Sequence, residues 1–435
     1  MASQRGKKYK PKETSNADDN DDQNENQPTC KEDETKLAKI DKKQKKQKAL
    51  LEFRCMVEDA ILGNYLLGKP KIALSASENR KAREKLREIT LWGVPLLPSK
   101  SHEGTDIVLT KFLKAKGFKV HDAFEMLRKT LKWRREYNVD SVLEETSEVD
   151  VEKLVCIGSR DNEGHPLYFN VYAALKDKNL YNELFGSQEN CEQFLRLRVR
   201  YMEKGIRLLN FKAGGTDALV QITDLKNLPG STMKELRLVT KKCMMLLQNY
   251  YPELIYRDII VNAPFWYYAS HVLSSKLLSQ RTKKKFVFAR PNKVTKTLLK
   301  FIAPEYLPAE YGGLKRENDD EFCPEDKVLE LNVKKNSTSS IQIPVAEVGV
   351  TMIWDVTVVG WEVLYREEFI PEDEGSYNVL LNNEKEKKGI ESIRNSFYIG
   401  EPGNIVITIQ TGYKKKRVFY RYKTKPTVPM YFFLK

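Results

Sequence analysis

The sequence predicts an α/β sheet domain with a helical lobe in front of it and an all-β sandwich behind it. Three observations carry that expectation. From Val151 short β-branched runs alternate with helical stretches. From Thr105 to Arg135 apolar residues recur at helical spacing, and beyond Ser337 the chain becomes short strands separated by turns.

A chain of 435 residues is long enough for two or three domains. Its first 36 residues mix Lys, Asp, Asn, Gln and Glu with few apolar side chains. Such a composition cannot bury enough surface to offset the entropy of ordering, so disorder is expected through the charged region 1–50. Within it the basic run Lys42 to Lys48 precedes the apolar ALLEFRCMVEDAILGNYLLG. That run either touches an anionic surface or forms a solvated helical arm.

Residues 51–145 read as the helical lobe. One helix follows Thr105, with Asp106 as its capping candidate, Ile107, Phe112 and Leu113 as apolar positions, and Gly117 as the stop. The next is capped by His121 or Asp122 and carries Phe124, Leu127 and Leu131 on one side, with Arg128, Lys129, Lys132, Arg134 and Arg135 on the wet side. Residues 146–316 read as the mixed sheet domain, with strands at Leu154 to Ile157, Leu167 to Tyr172, Leu219 to Leu225, Arg257 to Asn262 and Phe286 to Ala289. Between the second and third lies a long helix whose stripe is Leu195, Val199, Met202, Ile206 and Leu209. The acid- and proline-containing ENDDEFCPEDK then breaks the periodicity, so 317–336 reads as an acidic linker. Residues 337–435 read as the sandwich, ending in the basic, aromatic GYKKKRVFYRYKTKP. That run suits an anionic membrane surface or an exposed edge strand guarded by lysines.

The net charge of +14 points to a polyanion, and charge alone does not choose between nucleic acid and anionic membrane. Six scattered cysteines suggest neither a zinc site nor a disulfide framework, so a reducing cytosol is expected. No signal-peptide core and no long apolar run is present, so a soluble chain with peripheral membrane contact is expected. The run GNYLLGKP nearly matches a phosphate-binding loop, but Pro70 stands where a magnesium-binding hydroxyl is needed. The four histidines lie far apart, with no GxSxG, HExxH or CxxC, so no catalytic residue is assigned and an enzyme is not expected.

The most informative stretch is residues 248–290. Glu253 stands just before one β-branched run, and Thr282 and Lys285 just before another, which in a parallel sheet gathers a carboxylate, a hydroxyl and an ammonium. Charges beside apolar runs are costly unless paired or bound to a ligand. Between the runs Trp266, Leu273 and Leu277 lie on one apolar stripe after Pro264, and Phe265, Trp266, Tyr267 and Tyr268 form an aromatic tetrad. This segment is either a static packed helix or a gate that is core when closed and membrane-facing when open. An apolar gate beside a small polar cluster is what a cavity for one amphiphile requires.

The runs NYYPEL and IIVNAPFWYYASHVLSSKLLSQRTKKKFVF, preceded by LWGVPLL and TDIVLTKFLKAKGFKVHDAFEMLRKTLKWRREYNVD and followed by FIAPEYLPAEYGGL, resemble the CRAL-TRIO lipid-exchange fold across about residues 90–314. With the β-rich tail, the chain is most similar to the patellins, which join CRAL-TRIO to a GOLD β-sandwich. The resemblance implies a CRAL-TRIO lipid-binding domain, a helical N-terminal lobe and an all-β GOLD sandwich. It further implies that Glu253, Thr282 and Lys285 contact an inositol phosphate headgroup, the alternative being a structural ion pair. Within FLKAKGF, Lys116 stands where the family often has an arginine, which keeps the charge and loses bidentate geometry. Leu219 and Gln221 replace the Ser and Thr of phosphatidylcholine-binding members, which argues against choline lipids.

Family likeness thus implies a cytoplasmic, peripheral membrane protein that binds phosphatidylinositol or a phosphoinositide as its only cofactor-like ligand and transfers or presents it in vesicle trafficking. Its expected partners are anionic membranes and phosphoinositides, with a protein partner for the GOLD domain and no nucleic acid or metal. A role at the forming cell plate in cytokinesis comes with the family. The rival is an adaptor whose GOLD domain binds a protein while the pocket senses lipid or an apolar cargo.

Overall fold

The computed structural model describes residues 29–68, 75–145, 154–226, 234–265, 267–269, 280–387, 389 and 391–427. The chain divides into two compact units, residues 1–48 and 49–435. In the first, the described backbone is helical from the start of α1 (Thr29–Leu62), which corrects the expectation of disorder for residues 29–50; the expectation for residues 1–28 lies outside the described residues. Lys, Gln and Ala are strong helix formers, and Asp41 and Lys45 stand one turn apart. Residues 40–48 are exposed, so propensity rather than a buried face favours this helix.

In the second unit the helical lobe begins with the apolar end of α1. It continues through α2 (Ala76–Arg87), opened by a capping box between Ser75 and Glu78, and the small hairpin of β1 (Thr90–Leu91) and β2 (Val94–Pro95). The lobe closes with α3 (Glu103–Ala115) and α4 (Val120–Glu136). Both helices start earlier than sequence reading places them. His102 caps α3 by accepting from the Gly104 amide, which frees Asp106 to pair with Arg54 at 2.5 Å. Lys119 precedes α4 without a side-chain cap, so neither His121 nor Asp122 has that role. Propensity and tertiary packing set these ends where short polar residues are plentiful.

The lobe and the sheet domain share one core. Phe53, Val57, Leu109, Phe112 and Leu127 pack in the same cluster as Val199, Met202, Ile206 and Leu219. Two polar ties cross it: Arg134 of α4 donates to Glu203 at 2.5 and 3.2 Å, and the Tyr251 hydroxyl donates to the same carboxylate at 2.6 Å. Trp133 stacks on Tyr250 at 4.3 Å.

The sheet domain comprises β3 (Val155–Arg160), β4 (Pro166–Val171), α5 (Lys178–Phe185), α6 (Gln188–Ile206), β5 (Leu219–Asp224), α7 (Lys234–Tyr250), β6 (Ile255–Val261) and β7 (Phe286–Ala289). The strands lie in sequence order, with β3 and β4 antiparallel and the others parallel. One face, with Leu167, Phe169, Val220, Ile222, Ile259 and Val261, packs on Leu298, Ile302, Leu307 and Tyr311. Strand alternation puts Asn170, Gln221, Thr223 and Asp258 on the other face.

The all-β part pairs β8 (Leu329–Val333), β9 (Thr338–Val345), β10 (Val350–Val358), β11 (Val363–Pro371), β12 (Val379–Lys387), β13 (Ile393–Ile399), β14 (Gly403–Thr411) and β15 (Lys416–Pro426) into two antiparallel sheets. Their orders are β13-β10-β15-β8 and β12-β11-β14-β9. Trp354, Trp361, Tyr365 and a row of Ile and Val side chains fill the space between them.

Residues 317–336 are not a free linker. Leu329–Val333 is a strand of the first sheet, and Asp319 accepts from Arg394 at 2.6 and 2.7 Å. Burial would raise the Asp319 carboxyl, yet bonds from Arg394 and from the Phe322 and Glu321 amides hold it down at about 2. Arg421, almost fully buried, donates to Asp355 at 2.9 Å and to the Leu314 carbonyl at 2.7 Å, and Thr357 donates to the Gly312 carbonyl at 2.9 Å. These bonds fasten the end of the sheet domain to the sandwich. The basic tail differs from expectation as well: β15 is paired by β8 over residues 416–420 and by β10 over residues 418–426, and Arg417, Arg421 and Lys425 meet Glu330, Asp355 and Glu321. Acids distant in sequence thus pair part of a run that looks unbalanced by itself.

Candidate functional site

Two strand ends build the site. Helix α7 gives way to Tyr251, Pro252 and Glu253 before β6, and the short helix Gln280–Lys285 leads directly into β7. Because β6 and β7 are parallel neighbours, both approach from the same end of the sheet, which brings Glu253 and Lys285 together. The Lys285 ammonium donates to a Glu253 carboxylate oxygen at 2.7 Å and to the Ile255 carbonyl at 3.0 Å. Their side chains keep 25% and 18% of their surface, so the pair is screened from bulk water and still reachable.

Glu253 has φ of 55°, a left-handed conformation that costs a non-glycine residue about 1 kcal/mol or more. A buried lysine fixes that turn: Lys111 of α3 donates to the Glu253 carbonyl at 3.0 Å and pairs with Asp217 at 3.0 Å. Burial pulls its ammonium down to about 8 against the pull of Asp217.

Of the residues singled out from sequence, the structure joins Glu253 and Lys285. Thr282 lies on the short helix that carries Lys285, and its side chain is outside the described residues. Lys116 is exposed at the C-terminal end of α3, and it is Lys111, five residues earlier and on another face, that reaches Glu253. The helix rotation explains the difference, since Phe112 and Lys111 face inward and residues 114–117 face solvent. In the aromatic tetrad Phe265 is 84% exposed, whereas Tyr268 is less so and meets the Phe288 ring edge-on at 5.4 Å. Tyr267 is half-buried; burial raises its phenol, and the nearby Asp258 carboxylate adds to the rise. Trp266, Leu273 and Leu277 lie outside the described residues.

A second polar group escaped sequence reading. Asp258, in the middle of β6, accepts from the Gln221 amide and the Thr223 hydroxyl, each at 3.2 Å. On β4, two strands from β6, Asn170 accepts from the buried Arg198, whose guanidinium lies over Tyr168 at 5.2 Å. Burial pushes the Asp258 carboxyl up to about 6, with the two hydrogen bonds opposing. The available signal was a lone acid, next to Arg257, in a mostly apolar strand; its neighbours come from strands and a helix dozens of residues away. This arrangement gives the sheet face a polar interior capable of hydrogen-bonding a buried ligand.

The chain matches the family model described as CRAL/TRIO domain over residues 150–313 and that of the Patellin-1-like, C-terminal GOLD domain over residues 334–417. It is 48% identical to Patellin-4 of Arabidopsis thaliana over 341 residues, 78% of this chain and 62% of that protein. Patellin-6 of the same plant is 37% identical over 360 residues, 82% of this chain and 85% of that protein. The Phosphatidylinositol transfer protein SFH5 of Kluyveromyces lactis is 30% identical over 216 residues, 48% of this chain and 68% of that protein. The chain thus spans less than two thirds of Patellin-4 and most of Patellin-6. With both family models matched in order and these identities across most of its length, the chain belongs to the patellin family.

Proposed function

We propose that the protein binds a lipid of the phosphatidylinositol or phosphoinositide class in its sheet domain and transfers or presents it at membranes, without enzymatic chemistry. The observation that carries the reading is the Glu253–Lys285 pair at 2.7 Å, partly exposed and held on a strained turn. An ion pair there is readily exchanged for a ligand: Lys285 turns to a phosphate, and Glu253 accepts from ring hydroxyls. Thr282 is proposed to add a hydroxyl, and residues 265–279 to act as the gate. Lys116 is proposed only as a peripheral cation. The relative SFH5, named as a phosphatidylinositol transfer protein, supports the lipid class.

Burying about 30 methylenes at ~0.8 kcal/mol each is roughly 24 kcal/mol of transfer from water. A lipid free in water is therefore not an intermediate, and exchange takes place on the membrane. Among the described residues no helix is long and apolar enough to cross a bilayer, consistent with peripheral docking. A cytoplasmic location, a part in vesicle trafficking and the cell plate as its site are proposed on family membership alone.

The test is transfer of labelled phosphatidylinositol between vesicles. Lys285→Ala is expected to lower the rate at least about ten-fold, the equivalent of one charge-assisted bond. Unchanged transfer in that variant would reduce the pair to structure and remove the main support for the reading.

A further inference from the structure

Helix α7 presents two apolar sides. Its inner side is accounted for: Leu236, Val239 and Cys243 are buried, and Leu246, Leu247 and Tyr250 pack on the core shared with the helical lobe. Its outer side carries Leu238, 61% exposed, and Met245, 53% exposed, with the exposed Lys241 and Lys242 between them at i, i+3, i+4 and i+7. Met244, 64% exposed, widens the stripe, and Gln248 and Asn249 continue the exposed side. From residue 236 to 250 the helix has no acidic residue. Large apolar side chains at the centre of an outward face, flanked by lysines, do nothing for the core and are costly in water.

We infer that the outer face of α7 is a membrane-docking surface for an anionic bilayer. Three features select that occupant. The lysines are complementary to acidic headgroups, and their long stems let the ammonium stay at headgroup level while Leu238 and Met245 enter the acyl boundary. In the basic tail, which the sequence offered for this role, Arg417, Arg421 and Lys425 are already engaged by Glu330, Asp355 and Glu321. The helix also ends at Tyr250, with Glu253 following after Tyr251 and Pro252, so docking along α7 brings the polar mouth of the site to the membrane. The inference rests on the proposed lipid handling and adds the surface through which it operates.

The test uses the full chain and vesicles of equal parts phosphatidylserine and phosphatidylcholine, which lack the inositol headgroup. Co-sedimentation is compared for wild type, Leu238→Ser with Met245→Ser, and Lys241→Gln with Lys242→Gln, each first matched for thermal stability. Both pairs are expected to weaken binding about ten-fold or more, with each lysine accounting for roughly five-fold. The lysine pair should also flatten the salt dependence, whereas the apolar pair should keep it. Unchanged binding in both variants overturns the inference. So does a dimer, seen by light scattering, that the apolar pair dissolves without loss of vesicle binding, because a second copy would then be what covers the face. Lipid content separates the two claims: a protein that carries no lipid yet docks through α7 would sink the lipid reading alone.

Discussion

At the scale of single residues the site is a contest between burial and pairing. Glu253 and Lys285 satisfy each other, while Lys111 and Asp258 are held in environments that disfavour their charge. For Asp258 the folded carboxyl keeps its proton to about pH 6, whereas an ordinary aspartate releases it near 3.8. The folded state therefore binds more protons between those limits, so this residue's contribution to stability falls as pH rises through that window and is lowest above it. The cost at neutral pH is at most about 3 kcal/mol. Asp258→Asn is expected to raise the melting temperature at pH 7.5 and to lessen the fall in stability as pH rises from 4 to 6. Equal melting curves for the two proteins at pH 7.5 would mean that the carboxylate is not destabilised. Glu253 and Lys285 were legible because each stands beside its own strand; Lys111 was not, since its bond to Glu253 joins residues 142 apart in sequence.

Elements were legible where periodicity is strong and illegible where partners come from elsewhere. Strands β4 to β7 fall within two residues of their expected positions, and the long helix of the sheet domain is α6. The 317–336 segment and the tail differ from their expected form for one reason: polar and charged residues take their structure from distant partners. Phe322 makes the point: buried in the acidic stretch, its ring lies beneath Arg394 and Arg421 at 5.1 and 4.4 Å. Arg421→Ala would remove one of the cations that hold the fully buried Asp355, leaving it to Arg394 and Arg316, and release the Leu314 carbonyl. The expected loss is about 1.5–3 kcal/mol, that of hydrogen bonds to a charged group, read by denaturant unfolding, with trypsin then cutting near Lys327 and Lys334 in protein that otherwise resists it. Resistance that survives the substitution would show that the segment is held by something other than this network.

At the scale of the whole molecule, the sheet domain is fastened on two sides: to the helical lobe through a shared core and Glu203, and to the sandwich through Arg421 and Thr357. The order of these parts was readable from the sequence, because three periodicities succeed one another along it. Their attachment was not, because no local pattern encodes a bond between Arg421 and Leu314. Lipid handling requires the sheet domain to enclose a lipid with its headgroup at Glu253 and Lys285. Mass spectrometry of the lipid extracted from purified full-length protein tests that most directly. The expected result is stoichiometric inositol phospholipid in the wild type and its depletion in Lys285→Ala of unchanged stability; a wild-type protein that yields no lipid, or one whose lipid is indifferent to Lys285, would contradict it.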